Sequence, residues 1–280
     1  MSDPIWILMP ILGAREYTRA AISDSLSQTL PTRLLLINQG VEEDFREELE
    51  GIAEGNQDRV FLWSHVPPLP SLSATWNRGL RCCWEAGAEE VLVVNNDVRL
   101  APTTLECLSR VRHHESSYFV TAVGVAADQY QPTAHPDNYD PHFWASAFHD
   151  GPMYGKGGPD FSCFLISREG HEAYPFDEAF TPAYCEDLDL HRRFLLGGDG
   201  DTIFSVNLPY LHYASGTRKT ATEAKRQQLD RAVDRGSRAY YARKWGGPVN
   251  QERYTIPFDP GSDRDGVTTP ELQAHGGLKA

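Results

Sequence analysis

The sequence has 280 residues, of which 40% are apolar and 11% aromatic, enough to bury the core of one large domain. Its formal net charge of -13 argues against a general affinity for nucleic-acid phosphates or anionic membranes. It contains no run of 18 apolar residues, so we expect no membrane-spanning helix.

Strands and helices are predicted to alternate along the first hundred residues, because buried apolar runs alternate with stripes at helical spacing. The predicted strands cover residues 5–9, 34–37, 60–63 and 90–94, and the predicted helices cover residues 15–28, 42–53 and 71–86. This order is typical of an α/β fold with a mostly parallel sheet between helices. Polar residues follow the first, second and fourth strands, so we expect a ligand site where those strand ends meet.

The second half is predicted to contain strands at 118–123 and 161–166 and a charged helix at 221–245. Between the two strands, residues 126–159 are rich in aromatic residues, Pro and Gly. A segment of this length inside a compact domain is usually functional or disordered, and its aromatic content favours an ordered functional loop.

The five cysteines are odd in number and lack the spacing of metal ligands. Two of them, Cys82 and Cys83, are adjacent within a predicted helix, which suits reduced thiols. The apolar segment at 5–12 lacks a basic flank and is predicted to be a strand rather than a signal peptide. These features favour a cytoplasmic protein.

An acidic segment between residues 176 and 190 carries five carboxylates, three of them within four residues. Thr181-Pro182 predicts a helix start there, and acidic residues in a first turn suit the helix dipole. Asp187, however, shares a stripe with Leu190 and Phe194. A carboxylate on an apolar stripe needs a partner or a task, so the cluster is either a structural helix start or a functional group.

Upstream of this segment, a predicted buried strand ends in Asn95-Asn96-Asp97, and about ninety residues later the chain reads FDE and then YCEDLDL. In this order the motifs resemble those of the inverting nucleotide-sugar glycosyltransferases of the family 2 type, over residues 5–212. The resemblance implies a GT-A fold and a single displacement with inversion. It also implies one catalytic domain over residues 1–258, with a donor-binding half (1–100), an acceptor and catalytic half (101–220), a final helix (221–247) and a flexible tail (259–280).

The resemblance implies a divalent cation, Mn²⁺ or Mg²⁺, on the donor diphosphate, because charge develops on the leaving group. In the family a D-x-D motif binds it, and here Asn95 replaces the first Asp and leaves Asp97 as the ligand. The implied second ligand is His212. The alternatives are an ordinary Asn/Asp turn and a histidine satisfied by hydrogen bonds.

The resemblance assigns the general base to Asp187, next to Glu186, with Asp189 and Asp177 as further alternatives. Like-charged neighbours should raise at least one pKa in this group, which would suit a base. The residues expected to bind the donor are Pro10, Ile11, Asn38, Arg78, Asn95 and Asn96. The residues expected to bind the acceptor are Asp160, Trp144 and Tyr154.

The donor is expected to be a UDP-, GDP- or dTDP-linked sugar. Its nucleobase is not determined, because Asn38 stands where the family has an Asp, and an amide offers different hydrogen-bonding groups from a carboxylate. The sequence does not distinguish a glycan, small-molecule, protein or modified-nucleobase acceptor. For Arg78 and its neighbour Asn77, an ordinary exposed helix face is the alternative.

Three other functions are compatible with parts of the pattern. Asn38 and Asn95 favour a non-catalytic relative that binds nucleotide sugars or carbohydrates. A sugar nucleotidyltransferase would share the sheet, but residues 11–15 are a poor version of its Gly-rich phosphate loop. A glycoside hydrolase could use the paired carboxylates but would not need the strand-end metal motif.

Overall fold

The computed structural model describes residues 3–64, 67–126, 154–156, 160–213 and 222–263. The strands of this part of the chain are β1 (Ile5–Ile11), β2 (Thr32–Asn38), β3 (Val60–Ser64), β4 (Glu90–Val94), β5 (Val98–Arg99), β6 (Phe119–Ala126), β7 (Tyr154–Lys156), β8 (Cys163–Ser167) and β9 (Ile203–His212). Its α-helices are α1 (Arg15–Leu26), α2 (Glu43–Gly55), α3 (Leu72–Glu85), α4 (Thr104–Glu115), α5 (Arg168–Ala173), α6 (Glu186–Gly197), α7 (Glu223–Val233) and α8 (Ala239–Trp245).

The described strands form one mixed sheet in the order β3-β2-β1-β4-β8-β6-β9-β5, with β7 also paired to β9. The first four strands of this order pair in parallel, whereas β8 is antiparallel to both of its neighbours. Strands β1 and β4 are buried almost throughout, because helices cover both faces of the sheet. The α/β prediction is confirmed.

Alternation along β1 sends side chains into two cores. Ile7 and Met9 belong to the core that α1, α2 and α4 cover, while Trp6 and Leu8 pack with residues of α3 and α6. The sheet is therefore packed on both faces, and the four parallel strands end on the same side of it. Helix α4 was absent from the elements predicted from sequence.

The helix of the acidic segment begins at Glu186, so the predicted start at Thr181-Pro182 is wrong. The Thr181-Pro182 peptide is cis, and the φ angles of Tyr184 and Cys185 are 76° and 69°. A left-handed φ does not belong to an α-helix. The segment is instead tied to α3, because the backbone N–H of Leu72 donates to the Pro182 carbonyl at 3.0 Å.

The predicted C-terminal helix is divided by a π-helical turn at residues 234–238 into α7 and α8. Gly236 lies in this turn against the acidic segment, where an added Cβ would approach the Thr181 carbonyl oxygen to 2.2 Å. Gly246 ends α8 with a left-handed φ of 73°, a conformation that glycine adopts without strain. Within the described ranges, the structure contains no helix that is both long and apolar enough to cross a membrane.

Candidate active site

A cleft of about 830 Å³ opens beyond the carboxyl ends of β1 and β4. It brings together most of the residues that the sequence predicted for a site. The predicted residues that line it are Pro10, Ile11, Asn95, Asn96, Asp97, Asp160, Glu186, Asp187 and His212. These residues come from distant parts of the chain, and the fold brings them together at one cleft.

Asp97 and His212 form a pair at the sheet edge. Strand β5 directly follows Asp97 and pairs with the end of β9, where Val98 lies opposite His212. The backbone N–H of Tyr213 also donates to the Asp97 carbonyl at 3.0 Å. These contacts place Asp97 Oδ1 3.5 Å from His212 Nε2. Asp97 is buried and His212 is partly exposed to the cleft.

This pair fits a divalent cation. A carboxylate oxygen and an imidazole nitrogen are both acceptable ligands of Mn²⁺, and a carboxylate suits Mg²⁺. Within the described ranges no group of three or more His, Cys, Asp or Glu residues could hold a metal ion. A cation at Asp97 and His212 would therefore need further ligands from substrate phosphates or water, as Mg²⁺ sites commonly have.

The two asparagines before Asp97 differ in role. Asn96 Nδ2 donates to the Gly13 carbonyl at 2.7 Å and to Thr18 Oγ1 at 2.8 Å. Its amide nitrogen therefore holds the β1–α1 turn in place, while the residue still lines the cleft where a donor contact is predicted. Asn95 is half-buried at the cleft, and its backbone N–H donates to the Ser162 carbonyl at 2.9 Å.

Glu186 and Asp187 open α6 and face the same cleft. Glu186 is only 4% exposed, and within the described part of the chain its Oε2 has no hydrogen-bond partner. Asp187 is half-buried, and its Oδ1 accepts a hydrogen bond from the Leu188 N–H at 2.8 Å. The pair thus combines an unsatisfied buried oxygen with a carboxylate that solvent can reach.

Burial raises the pKa of Glu186, and the negative charge of Asp187 raises it further. Burial also raises the pKa of Asp187, and Asp160 adds a smaller effect in the same direction. Carboxyl groups with raised pKa values are suited to proton transfer near neutral pH. The predicted rise in this acidic group is confirmed in direction.

Asp177 and Asp189 are occupied by structural contacts, and neither lines the cleft. Lys244 Nζ lies 2.6 Å from Asp177 Oδ2 and 2.7 Å from Asp189 Oδ1. Asp189 also accepts hydrogen bonds from Arg193 at 2.8 Å and from the Trp245 indole at 2.9 Å. These two alternatives for the base therefore lie away from the cleft, with their oxygens paired to cations.

Asn38 does not line the cleft, contrary to its prediction as a donor contact. Its Oδ1 accepts hydrogen bonds from the N–H groups of Gly40 and Val41 at 2.9 and 3.0 Å, which closes the turn after β2. The next residue, Gln39, lines the cleft instead. Gln39 Oε1 accepts from the Leu69 N–H at 2.9 Å, and its buried Nε2 has no partner within the described residues.

Gln39 was missed by sequence reasoning, although strand alternation was a usable signal. Adjacent side chains at a strand end point to opposite sides, so only one of the Asn38 and Gln39 side chains is expected to face the cleft. Residues of α7 were also missed. Leu229, Asp230 and Val233 line the cleft, and no local sequence pattern links that helix to the strand ends.

Arg78 is exposed outside the cleft, so its prediction as a donor contact is corrected. Its guanidinium lies over the Trp63 ring, 5.0 Å from the centroid. Its neighbour Asn77 is buried, and Asn77 Nδ2 donates to the Phe176 carbonyl at 2.8 Å and to Glu178 at 2.9 Å. Asn77 therefore supports the start of the acidic segment rather than an exposed helix face.

Tyr154 is also outside the cleft, which corrects its prediction as an acceptor contact. It lies on β7, and its hydroxyl donates to Glu115 at 2.6 Å. Strand β7 pairs with β9 around Val206, away from the His212 end of that strand. Trp144 and most of the 126–159 loop lie outside the described residues.

The fold is that of the GT-A glycosyltransferases. Glucosyl-3-phosphoglycerate synthase from Mycobacterium tuberculosis, solved with Mn²⁺, UDP and glucosyl-3-phosphoglycerate, superposes with a TM-score of 0.53 at 18% identity over 82% of this chain and 77% of that chain. The mannosyltransferase PcManGT from Pyrobaculum calidifontis, solved with GDP-Man and Mn²⁺, gives 0.56 at 11% identity over 82% and 61%. S. aureus TarS gives 0.54 at 11% identity over 82% and 42%.

At these identities the likeness establishes the fold alone, and the chain has the GT-A fold. No protein-family model matches the sequence. No curated protein matches it either.

Proposed function

We propose that the protein is a metal-assisted, inverting glycosyltransferase that moves a sugar from a nucleotide-diphospho-sugar to an acceptor hydroxyl. The observation that carries this proposal is that one cleft of a GT-A fold holds both the Asp97–His212 pair and the Glu186–Asp187 pair. Structural neighbours crystallised with Mn²⁺ and either UDP or GDP-Man support the donor class.

The Asp97 side of the cleft is assigned to the donor. A divalent cation held by Asp97 and His212 would offset the negative charge that develops on the departing nucleotide diphosphate. Pro10 and Ile11 offer backbone and apolar contacts to the nucleoside. Gln39 adds a buried amide whose Nε2 can donate to a base or ribose oxygen.

The Glu186–Asp187 side is assigned to proton removal. The acceptor oxygen forms a bond to the anomeric carbon while the bond from that carbon to the diphosphate oxygen breaks. The electron pair of the broken bond leaves with the nucleotide diphosphate, and the hydroxyl proton passes to Asp187. We assign the base to Asp187 because it is more accessible from the cleft than the almost fully buried Glu186. One displacement inverts the anomeric carbon.

The first test is a thermal-shift panel of UDP-, GDP- and dTDP-sugars, each with Mn²⁺, Mg²⁺ or chelator. A ligand that binds only the folded state raises the Tm. We expect one nucleotide to give a metal-dependent rise that Asp97→Ala and His212→Ala both abolish. His113→Ala is the matched control, because His113 is exposed and lies outside the cleft. A rise that is independent of metal, or that survives both substitutions, would contradict the metal assignment.

A non-catalytic nucleotide-sugar-binding protein is the second candidate. It is favoured by Asn95 in place of the usual Asp, which leaves a single carboxylate in the strand-end motif. Binding alone does not separate the two candidates, because both bind the donor. Slow, metal-dependent release of free nucleotide diphosphate from the donor supports the enzyme. Donor binding without any release over a day would favour the non-catalytic candidate.

A further inference from the structure

Two residues that line the cleft each carry a buried polar atom without a hydrogen-bond partner within the described residues. The first atom is a donor, the indole Nε1 of Trp76 on α3, a residue that is 1% exposed. The second is Oε2 of Glu186 at the start of α6, a residue that is 4% exposed. Buried polar groups in native proteins nearly always have a partner, so two exceptions at one cleft indicate a missing ligand group.

The Trp76 ring is held in one orientation by other aromatic side chains. Its centroid lies 5.6 Å from that of Phe164, which it meets edge-on, and 4.8 Å from that of Phe176. A close-packed aromatic cluster leaves an indole little freedom to rotate. The Trp76 N–H therefore cannot turn to find another acceptor in the protein.

Hydrogen bonds join α3 to the acidic segment that leads into Glu186. The Leu72 N–H donates to the Pro182 carbonyl at 3.0 Å. The Ser71 hydroxyl donates to the Glu178 carbonyl at 3.3 Å. The two unpartnered atoms thus belong to elements that are fixed to each other, and in this arrangement neither atom satisfies the other.

A ligand group that satisfies both atoms must accept from the Trp76 indole and share a hydrogen bond with the Glu186 carboxyl. A hydroxyl does both, because it has one donor hydrogen and two acceptor lone pairs and turns about its C–O bond. It also suits either protonation state of Glu186, since it donates to a carboxylate and accepts from a protonated carboxyl. The nearly complete burial of both atoms favours a group as small as a hydroxyl.

We propose that Trp76 and Glu186 form a subsite for one sugar hydroxyl, which accepts from Trp76 Nε1 and shares a hydrogen bond with Glu186 Oε2. The hydroxyl belongs either to the sugar of the donor or to an acceptor sugar, because both present the same chemistry. This proposal rests on the proposed function, since it names residues that bind a sugar in that cleft. It gives Glu186 a role different from that of Asp187: Glu186 orients a sugar, and Asp187 takes the proton.

The test follows the indole N–H itself in the full chain. The protein is labelled with ¹⁵N-tryptophan, and the signals of its six indoles are recorded by NMR. One arm adds intact UDP-, GDP- and dTDP-hexoses with Mg²⁺, and the other adds methyl glucoside, galactoside and mannoside with the nucleotide diphosphates and Mg²⁺. We expect the Trp76 signal to move downfield, as an N–H that gains an acceptor does, in one arm. That arm identifies the source of the hydroxyl, and the nucleotide diphosphates alone should leave the signal in place.

The Trp76 signal is the one that is missing in Trp76→Phe. If that variant does not fold, through-space contacts of the indole with the Phe164 and Phe176 rings assign the signal in the wild type. Analogues of the active sugar that each lack one hydroxyl are then compared. One of them should bind the wild type about tenfold more weakly and leave the Trp76 signal unmoved, because a buried donor loses its partner.

Trp76→Phe should weaken binding of the parent sugar about tenfold and should bind that deoxy analogue as the wild type does, because both changes remove the same contact. Trp84→Phe is the matched control. Trp84 lies on the same helix but outside the cleft, and its indole N–H donates to His171 at 3.0 Å. The control should bind both sugars as the wild type does, and a cooperative thermal transition shows that each variant is folded.

A Trp76 signal that no sugar moves overturns the proposal, and so does equal affinity of the parent sugar for the wild type and Trp76→Phe. Both results are distinguishable from failure of the proposed function. If nucleotide diphosphates bind with metal and the donor is hydrolysed while the Trp76 signal stays in place, the transferase proposal stands and the subsite is wrong. If a sugar moves the signal but no nucleotide binds, the transferase proposal fails and the hydroxyl subsite stands.

Discussion

The acidic segment contains two pairs of carboxylates that are close in sequence but differ in their surroundings. Asp177 and Asp189 share Lys244, which is buried between them. Glu186 and Asp187 face the cleft, and no ion pair to either is found within the described residues. Carboxylates that are close in sequence thus have different surroundings, because a buried lysine pairs with Asp177 and Asp189.

Asp177 also differs from the Glu186–Asp187 pair in the direction of its pKa shift. Burial alone would raise the pKa of Asp177, but hydrogen bonds from Lys244, the Ala179 N–H and the Tyr240 hydroxyl lower it below its ordinary value. Burial raises the pKa of Glu186 and of Asp187, and no cation offsets it. The first pair is therefore suited to hold structure, and the second is suited to accept a proton.

The largest expected effect follows removal of the proposed base. Asp187→Asn should lower turnover by about 10²–10⁴-fold, the usual contribution of a general base, because the amide accepts no proton. Donor binding, measured as the metal-dependent rise in Tm, should stay close to that of the wild type. Glu178→Gln is the control, since Glu178 belongs to the same segment but lies outside the cleft. Undiminished turnover in Asp187→Asn would move the base to Glu186.

The next effect is on stability and concerns the other pair. Lys244→Met should lower the free energy of unfolding by about 3–5 kcal/mol, because it leaves two carboxylates without their buried cation. Urea denaturation measures it. Arg238→Met is the matched control: Arg238 is an exposed cation four residues from its partner Asp234, and such pairs contribute about 0–1 kcal/mol. Equal losses in the two variants would remove the distinction between the pairs.

Glu186→Gln should stabilise the fold, increasingly as pH rises. The raised pKa means that the folded state prefers the protonated carboxyl, so the wild type is most stable below the ordinary pKa of Glu and loses stability above it. Gln has no charge to bury. Each tenfold difference in the proton affinity of Glu186 between the folded and unfolded states changes the free energy of unfolding by up to about 1.4 kcal/mol. The Tm difference between variant and wild type should therefore be larger at pH 8 than at pH 5. A difference independent of pH would refute the burial argument.

The smallest effect is expected at Tyr154, which the sequence placed in the acceptor site. Its hydroxyl donates to a half-buried carboxylate, Glu115, outside the cleft. Tyr154→Phe should change the free energy of unfolding by less than about 0.5 kcal/mol, as most surface substitutions do. Turnover should match that of the wild type. Reduced turnover in this variant would show that the acceptor site extends to β7.

The fold was largely predictable because burial repeats locally along the chain. Apolar runs predicted the parallel strands, and the rule that ligands bind beyond strand ends predicted that Asp97 lies in a ligand site. The helix start was wrong, because Thr181-Pro182 satisfies the local rule for an N-terminus while contacts with Leu72 and Gly236 hold it in a turn. Contacts between residues so far apart in the chain have no signature in the local sequence.

The site was predictable only in part for the same reason. Asp177, Asp187 and Asp189 look alike in sequence, and only Lys244, more than fifty residues downstream, separates them. Asn38 stands at the position where the family has an Asp, but its side-chain Oδ1 accepts hydrogen bonds within the turn after β2. A residue that binds its own backbone is indistinguishable in sequence from one that binds a ligand.

The short strand β5 has a consequence for dynamics. It joins Asp97 to the end of β9 through the hydrogen bond from the Tyr213 N–H to the Asp97 carbonyl. A cation bound by Asp97 and His212 would bridge the same two strands and oppose their local separation. Deuterium exchange at the Tyr213 amide should therefore slow when Mn²⁺ is added to the protein without any sugar. That single amide would report occupancy of the metal site before a substrate is known.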